Sequence, residues 1–140
     1  MCSSDLPWTS NWFEPSEWEK KLPGRQGNKY NMRRYGGDIQ GIINNLDYLK
    51  ALGVGGIYLN PMFDAESLHK YDGSTFHHID FNFGPDPEGD RKLVAKEIPD
   101  DPSTWVWTSA DKLFLELVKE VHKRGMYIII DGVLDRKSVV

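Results

Sequence analysis

Asp131 stands at the end of an apolar run, Met126-Tyr127-Ile128-Ile129-Ile130, and is followed by Gly132-Val133. A continuous apolar run suits a parallel strand buried on both faces. A carboxylate at the carboxyl end of such a strand lies where α/β folds gather their active sites. A site role for Asp131 is therefore expected, against the plainer alternative of a turn or capping carboxylate. A second cluster, His69-Lys70-Tyr71-Asp72, follows the earlier apolar segment Val54–Leu59 and falls on the same expected face. Tyr71 can stack on a ring, while His69 and Asp72 can hydrogen-bond hydroxyl groups; the alternative is that these residues only fix a loop.

Other chemistry-bearing patterns point less far. His77 and His78 are adjacent, and neighbours on an extended segment face opposite ways, so they are not expected to share a metal. The run Asp80, Asn82, Asp86, Glu88, Asp90 resembles a hard-cation loop. It departs from the EF-hand pattern in the place of its glycine and in its prolines, and reads as a solvated acidic loop. No nucleophile elbow, phosphate-binding glycine loop or HExxH motif occurs. Neither a metal nor a cofactor is expected.

The elements that must position these residues alternate. Asp38 is a good N-cap for a helix whose apolar face is Ile39, Ile42, Ile43, Leu46, Leu49 and Leu52, with Gly53 as its stop. Val54–Leu59 reads as a short strand closed by Asn60-Pro61, where the Gly55-Gly56 pair allows a helix to pack closely. Residues 61–107 form a long connection in which 76–81 can be extended and Pro85 to Pro102 reads as surface loop. Thr108 to Asp111 resembles a capping box that opens a second helix with the stripe Leu113, Phe114, Leu117, Val118, Val121, closed by Lys123-Arg124-Gly125. Helix, strand, long loop, helix, strand is the order of an α/β fold with a parallel sheet.

The totals agree with one globular domain. The chain has 140 residues, 39% hydrophobic and 27% charged. A net charge of −4 argues against nonspecific binding to nucleic acid or to an anionic membrane. No apolar run reaches membrane-spanning length, so no membrane or nucleic-acid partner is expected. Cys2 is the sole cysteine, which leaves no disulfide framework.

Taken in order, several segments resemble the alpha-amylase family of glycoside hydrolases, and within it the neopullulanase and cyclomaltodextrinase branch. They are Tyr35-Gly36-Gly37-Asp38-Ile39-Gln40-Gly41, Leu46-Asp47-Tyr48-Leu49, Leu52-Gly53-Val54, and Gly56-Ile57-Tyr58-Leu59-Asn60-Pro61 with Phe63. His69-Lys70-Tyr71-Asp72, Ile79-Asp80 with Phe83-Gly84, Ala110-Asp111 through Arg124-Gly125, and Asp131-Gly132-Val133 complete the set. The resemblance implies a (β/α)8 TIM barrel, of which this chain would carry about the first helix to the third strand. It implies retaining chemistry at α-glucosidic bonds, with one carboxylate as nucleophile and another as acid/base. The implied substrates are maltooligosaccharides, cyclodextrins, pullulan or starch.

The family's catalytic Asp, Glu and Asp follow later strands, so no catalytic residue is expected in this chain and it should be inactive alone. Tyr71 matches the tyrosine that stacks on the sugar, with His69 and Asp72 as further substrate-binding residues. Asp131 and Asn60 are implied as active-site support. The family motif Asp-Gly-Val-Phe-Asn-His departs after Val133, where Leu134 and Asp135-Arg136 stand instead.

Residues 135–140 can be back-translated as GAT-CGG-AAG-AGC-GTC-GTG, which matches a widely used sequencing adapter, and Cys2 to Leu6 fit the end of its companion. Residues 1–6 and 134–140 are therefore expected to be adapter-derived, leaving 7–133 as the piece of catalytic domain. Genomic DNA running contiguously through Leu134 to Val140 would overturn that expectation. The alternative reading of the whole chain is a small non-catalytic α/β carbohydrate-binding module. Oligomeric state and localisation are not assigned.

Overall fold

The structure, a computed structural model, describes residues 37–65, 67 and 69–133. The expectations for residues 1–36 and 134–140 lie outside the described residues.

The first expected helix is two. Asp38 caps α1 (Ile39–Asn44) by accepting the Gly41 N–H at 2.7 Å. At Asn45 the side-chain Nδ2 donates to the Gly41 carbonyl at 2.7 Å, the acceptor that the Asn45 backbone would use in a continuing helix. The Asn45 N–H turns to Ile42 O instead, and α2 (Leu46–Ala51) starts afresh. The apolar stripe survives the break, with Ile39 and Leu46 fully buried. Leu52, expected at its end, is largely exposed. Gly53 turns the chain at φ 82°, a left-handed conformation that favours glycine.

Strand β1 (Gly56–Leu59) pairs in parallel with β2 (Tyr127–Ile130), with Tyr58 opposite Ile129 and Leu59 opposite Ile130. Each strand is shorter than its apolar segment. Because side chains alternate along a strand, Tyr58, Asn60, Ile129 and Asp131 share one face, and Ile57, Leu59, Ile128 and Ile130 share the other. The second face packs on the core of Ile39, Leu46, Phe114, Leu117 and Val121, joined by Met126 just before β2. The first face is open: Tyr58 is 57% and Ile129 53% exposed. The expected burial of β2 on both faces is therefore not found, since the described residues cover the sheet from one side only. A Cβ on Gly56 would make only an ordinary 3.5 Å contact with Tyr127 Cβ across the sheet and one on Gly55 would meet nothing, so the expected close helix packing on this pair is not found among the described residues.

The connection from β1 to the last helix contains structure that reads as loop in the sequence. Its first part folds back through bridges Phe63–Ile79 and Ala65–Gly73. A 3-10 turn, Phe81–Phe83, follows, capped by Asp80. Pro87–Val94 is a helix, α3, with Asp86 accepting the Gly89 N–H and proline in its first turn. Asp90, within the expected solvated loop, is 1% exposed. Its carboxylate accepts Ser109 N–H at 2.7 Å, Ser109 Oγ–H at 2.8 Å and Ala110 N–H at 3.1 Å. These donors open α4 (Ser109–Lys123), where the expected capping box of Thr108 and Asp111 is complete. The acidic run is therefore only partly solvated: Asp80 and Asp90 are buried and spend their oxygens on chain donors, Asp86 spends one oxygen on its helix cap, and Asp86 and Glu88 are exposed.

The close approach of these segments gives a stability test. A Cβ on Gly84 would lie 2.7 Å from Ala110 Cα in the first turn of α4. Gly84→Ala should lower unfolding free energy by about 1–3 kcal/mol, read from urea titration, whereas Gly37→Ala, which meets open space, gives the control without this clash.

Candidate functional site

The register of β1 and β2 sets Asn60 and Asp131 side by side at the carboxyl end of the sheet, where Asp131 N–H donates to Leu59 O at 3.0 Å. The loop after β1 brings Tyr71 to them. Its hydroxyl donates to Asp131 Oδ2 at 2.7 Å across 60 residues of sequence. Tyr58 lies on the same face of β1, near the same carboxylate. Hydrogen bonding to Asp131, burial and the anion's charge push its phenol up to about 12. The Tyr71 phenol is raised as well, first by its hydrogen bond to Asp131. Both phenols stay protonated at neutral pH, and the Tyr71 hydroxyl donates to the carboxylate.

His69 and Asp72 meet around Ser67. The Ser67 hydroxyl donates to Asp72 Oδ1 and lies 2.9 Å from His69 Nδ1. That hydrogen bond holds the Asp72 carboxyl below its ordinary value. His69 Nδ1 also accepts the Tyr71 N–H at 3.1 Å. With Nδ1 occupied as an acceptor, the neutral ring carries its proton on Nε2, an assignment that follows from the hydrogen-bond network. The His69 and Tyr71 rings lie 5.8 Å apart. The arrangement presents an aromatic face, a ring N–H and a carboxylate beside Asp131, which suits a polyhydroxylated ring. Asn60 is exposed at the end of β1 and makes no side-chain hydrogen bond to other described residues.

Comparison with known proteins identifies the family. The family model described as the alpha amylase catalytic domain covers residues 10–97, a span that includes Asn60, His69, Tyr71 and Asp72. The chain belongs to the alpha-amylase family. An intracellular maltogenic amylase of Bacillus subtilis (strain 168) is 43% identical over 101 residues, 72% of this chain and 13% of that protein. A cyclomaltodextrinase of Thermoanaerobacter pseudethanolicus is 52% identical over 62 residues, 44% of this chain and 11% of that protein. Among solved structures, the cyclic alpha-maltosyl-(1-->6)-maltose hydrolase from Arthrobacter globiformis aligns with a TM-score of 0.51 at 32% identity, over 70% of this chain and 17% of that one. The chain thus spans between about a tenth and a fifth of the length of these relatives.

The structure adds residues that the sequence reading passed over. Tyr58 reads only as a strand residue, and its place on the Asp131 face appears once the register is known. Ser67 carries no motif signal. The paired histidines separate as expected: His77 stacks against Trp105 with ring centroids 4.4 Å apart, while His78 is buried. His78 Nδ1 lies 2.8 Å from Asp111 Oδ2 and Nε2 2.9 Å from Glu97 Oε2. This fastens the segment before the 3-10 turn to α4.

Burial alone would lower the His78 pKa, but its hydrogen bonds to Asp111 and Glu97 outweigh burial and raise it. The same contacts hold Asp111 and Glu97 below their ordinary values against the opposing effect of burial. The histidine therefore stabilises the fold fully below about pH 6.5 and loses that contribution as pH rises through its raised pKa. The carboxylates contribute above about pH 4 and lose it as pH falls through their lowered values. Unfolding midpoints measured against pH should peak between these limits, and His78→Gln should flatten the alkaline side. An unchanged alkaline limb would count against the ion pairs.

Proposed function

We propose that this chain is the part of a (β/α)8 catalytic domain that runs from about the first helix to the third strand. The parent is a retaining glycosidase acting on α-glucosidic bonds of maltooligosaccharides, cyclodextrins, pullulan or starch. The observation that carries this reading is the family match combined with the sheet. Two parallel neighbouring strands, helices on one face, and an open face ending in Tyr58, Asn60, Tyr71 and Asp131 are what a slice of a barrel presents. The names maltogenic amylase, cyclomaltodextrinase and maltosyl-maltose hydrolase among its relatives support the α-glucan class.

In this reading Tyr71 stacks on the sugar beside the scissile bond. Its hydroxyl, tied to Asp131, fixes the plane of the ring. His69 Nε2–H and Asp72 lie beside the sugar's hydroxyl groups, and Asn60 and Asp131 support the wall from the two strand ends. The nucleophile and acid/base of a retaining mechanism come from other parts of the domain.

The test compares this chain with the enzyme carried by its complete reading frame. The longer enzyme should hydrolyse a maltooligosaccharide with retention at the anomeric carbon, followed by NMR, and the 140-residue chain should release no sugar. In the longer enzyme Tyr71→Ala should lower kcat/KM by about a hundredfold, the scale of a lost positioning contact, and Tyr71→Phe less. A 140-residue chain that melts cooperatively as a monomer and binds maltooligosaccharides would favour the carbohydrate-binding module instead.

A further inference from the structure

Lys70 lies between the two substrate-binding candidates His69 and Tyr71 and turns the other way. It is the only non-glycine residue with positive φ among the described residues, at 59°. Lysine has no intrinsic preference for that region, so the surroundings must impose it. The side chain is 8% exposed, and its Nζ pairs with Asp80, itself 2% exposed. The ammonium also sits 5.3 Å from the centre of the Phe83 ring. Asp80 is in turn immobilised. Its N–H donates to Met62 O at 2.8 Å, and its Oδ1 accepts the backbone and side-chain N–H groups of Asn82 at 2.8 Å each.

Burying an ammonium is costly unless it is paired, so the chain at residue 70 can settle where Nζ reaches Asp80. The left-handed turn required for that reach directs the neighbouring residues. It brings the Tyr71 N–H onto His69 Nδ1 and the Tyr71 hydroxyl onto Asp131. The Lys70 N–H donates to Ser67 Oγ at 3.1 Å, the hydroxyl that holds Asp72.

We propose that Lys70 is a positioning residue: its buried pair with Asp80 enforces the turn that sets the Tyr71 N–H on His69 and the Tyr71 hydroxyl on Asp131. The inference deepens the function proposed above and rests on it only for the activity readout. Lys70 touches no sugar; it acts through Tyr71.

The test uses the enzyme from the complete reading frame with 13C-labelled tyrosine, the Tyr71 signal being assigned by its loss in Tyr71→Phe. In the unsubstituted enzyme the Tyr71 phenol should titrate above its ordinary value, and in Lys70→Met it should return towards about 10. The same variant should lose about a hundredfold in kcat/KM on a maltooligosaccharide, but less than about threefold when added to Tyr71→Ala, because residues acting as a unit are not additive. Lys70→Gly, which permits the left-handed turn but no longer enforces it, serves if Lys70→Met does not fold, with the same direction of change expected. A Tyr71 titration unchanged by loss of the lysine, or an equal loss of activity with and without Tyr71, would overturn the proposal. The titration is read whether or not the enzyme cleaves α-glucans, so failure of the proposed function shows separately as an inert unsubstituted enzyme.

Discussion

Three buried carboxylates hold the connection between the two strands together. Asp80, Asp90 and Asp111 are 2%, 1% and 8% exposed, and each spends its oxygens on donors from a different stretch of chain. A buried carboxylate is tolerated only when its lone pairs are met. Asp90 of α3 takes two backbone N–H groups and a hydroxyl at the start of α4. Asp111 takes the Ile79 and Thr108 N–H groups and His78. Both sit at the N-terminus of α4, the longest helix among the described residues, where orphan donors and the helix dipole favour an anion. The start of α4 is thus the fixed point against which the connection is tied, and Asp80 carries that order outward to Lys70 and the site.

This dependence explains what could be read from the sequence. The helix α4 was legible because its signals agree: a capping box, an apolar stripe at helical spacing and a glycine stop. The strands were legible as apolar runs and the parallel order followed from their alternation with helices. The break at Asn45 was not, because the stripe Ile39, Ile42, Ile43, Leu46 continues straight through it, and only a side chain competing for the Gly41 carbonyl divides the helix. α3 was hidden by composition. Its charged residues and flanking prolines read as loop, yet Asp86 and Pro87 form a cap and a first turn, and Asp90 is drawn inside by donors nineteen and twenty residues away.

The members of the candidate site could be proposed from the sequence, and their contacts could not. His69, Tyr71, Asp72 and Asp131 stand out as polar or aromatic residues beyond strand ends. The hydrogen bond from Tyr71 to Asp131 spans 60 residues, and no local pattern encodes a partner at that separation. Tyr58 was absorbed into its strand because alternation reveals a shared face only once the register is known. Lys70 was hidden for another reason. A lysine in a loop reads as solvent-facing, and only the positive φ and the buried Asp80 reveal that it points inward.

The face of the sheet that carries the site is also the face left uncovered. Tyr58, Ile129 and Tyr127 are 57%, 53% and 74% exposed on strands that pair in parallel, whereas parallel sheets are ordinarily covered on both sides. Fully burying one such apolar side chain is worth about 1.5–3 kcal/mol, so whatever covers this face contributes several kcal/mol to holding the strands. In a closed barrel that cover is the inward side chains of the other strands. They would pack beneath Asp131 and Asn60, on the face whose rim Tyr58 and Tyr71 already share. On the proposed barrel, stability and site geometry would depend on one contact layer: closing the apolar face would support from below the same carboxylate that Tyr71 holds from above.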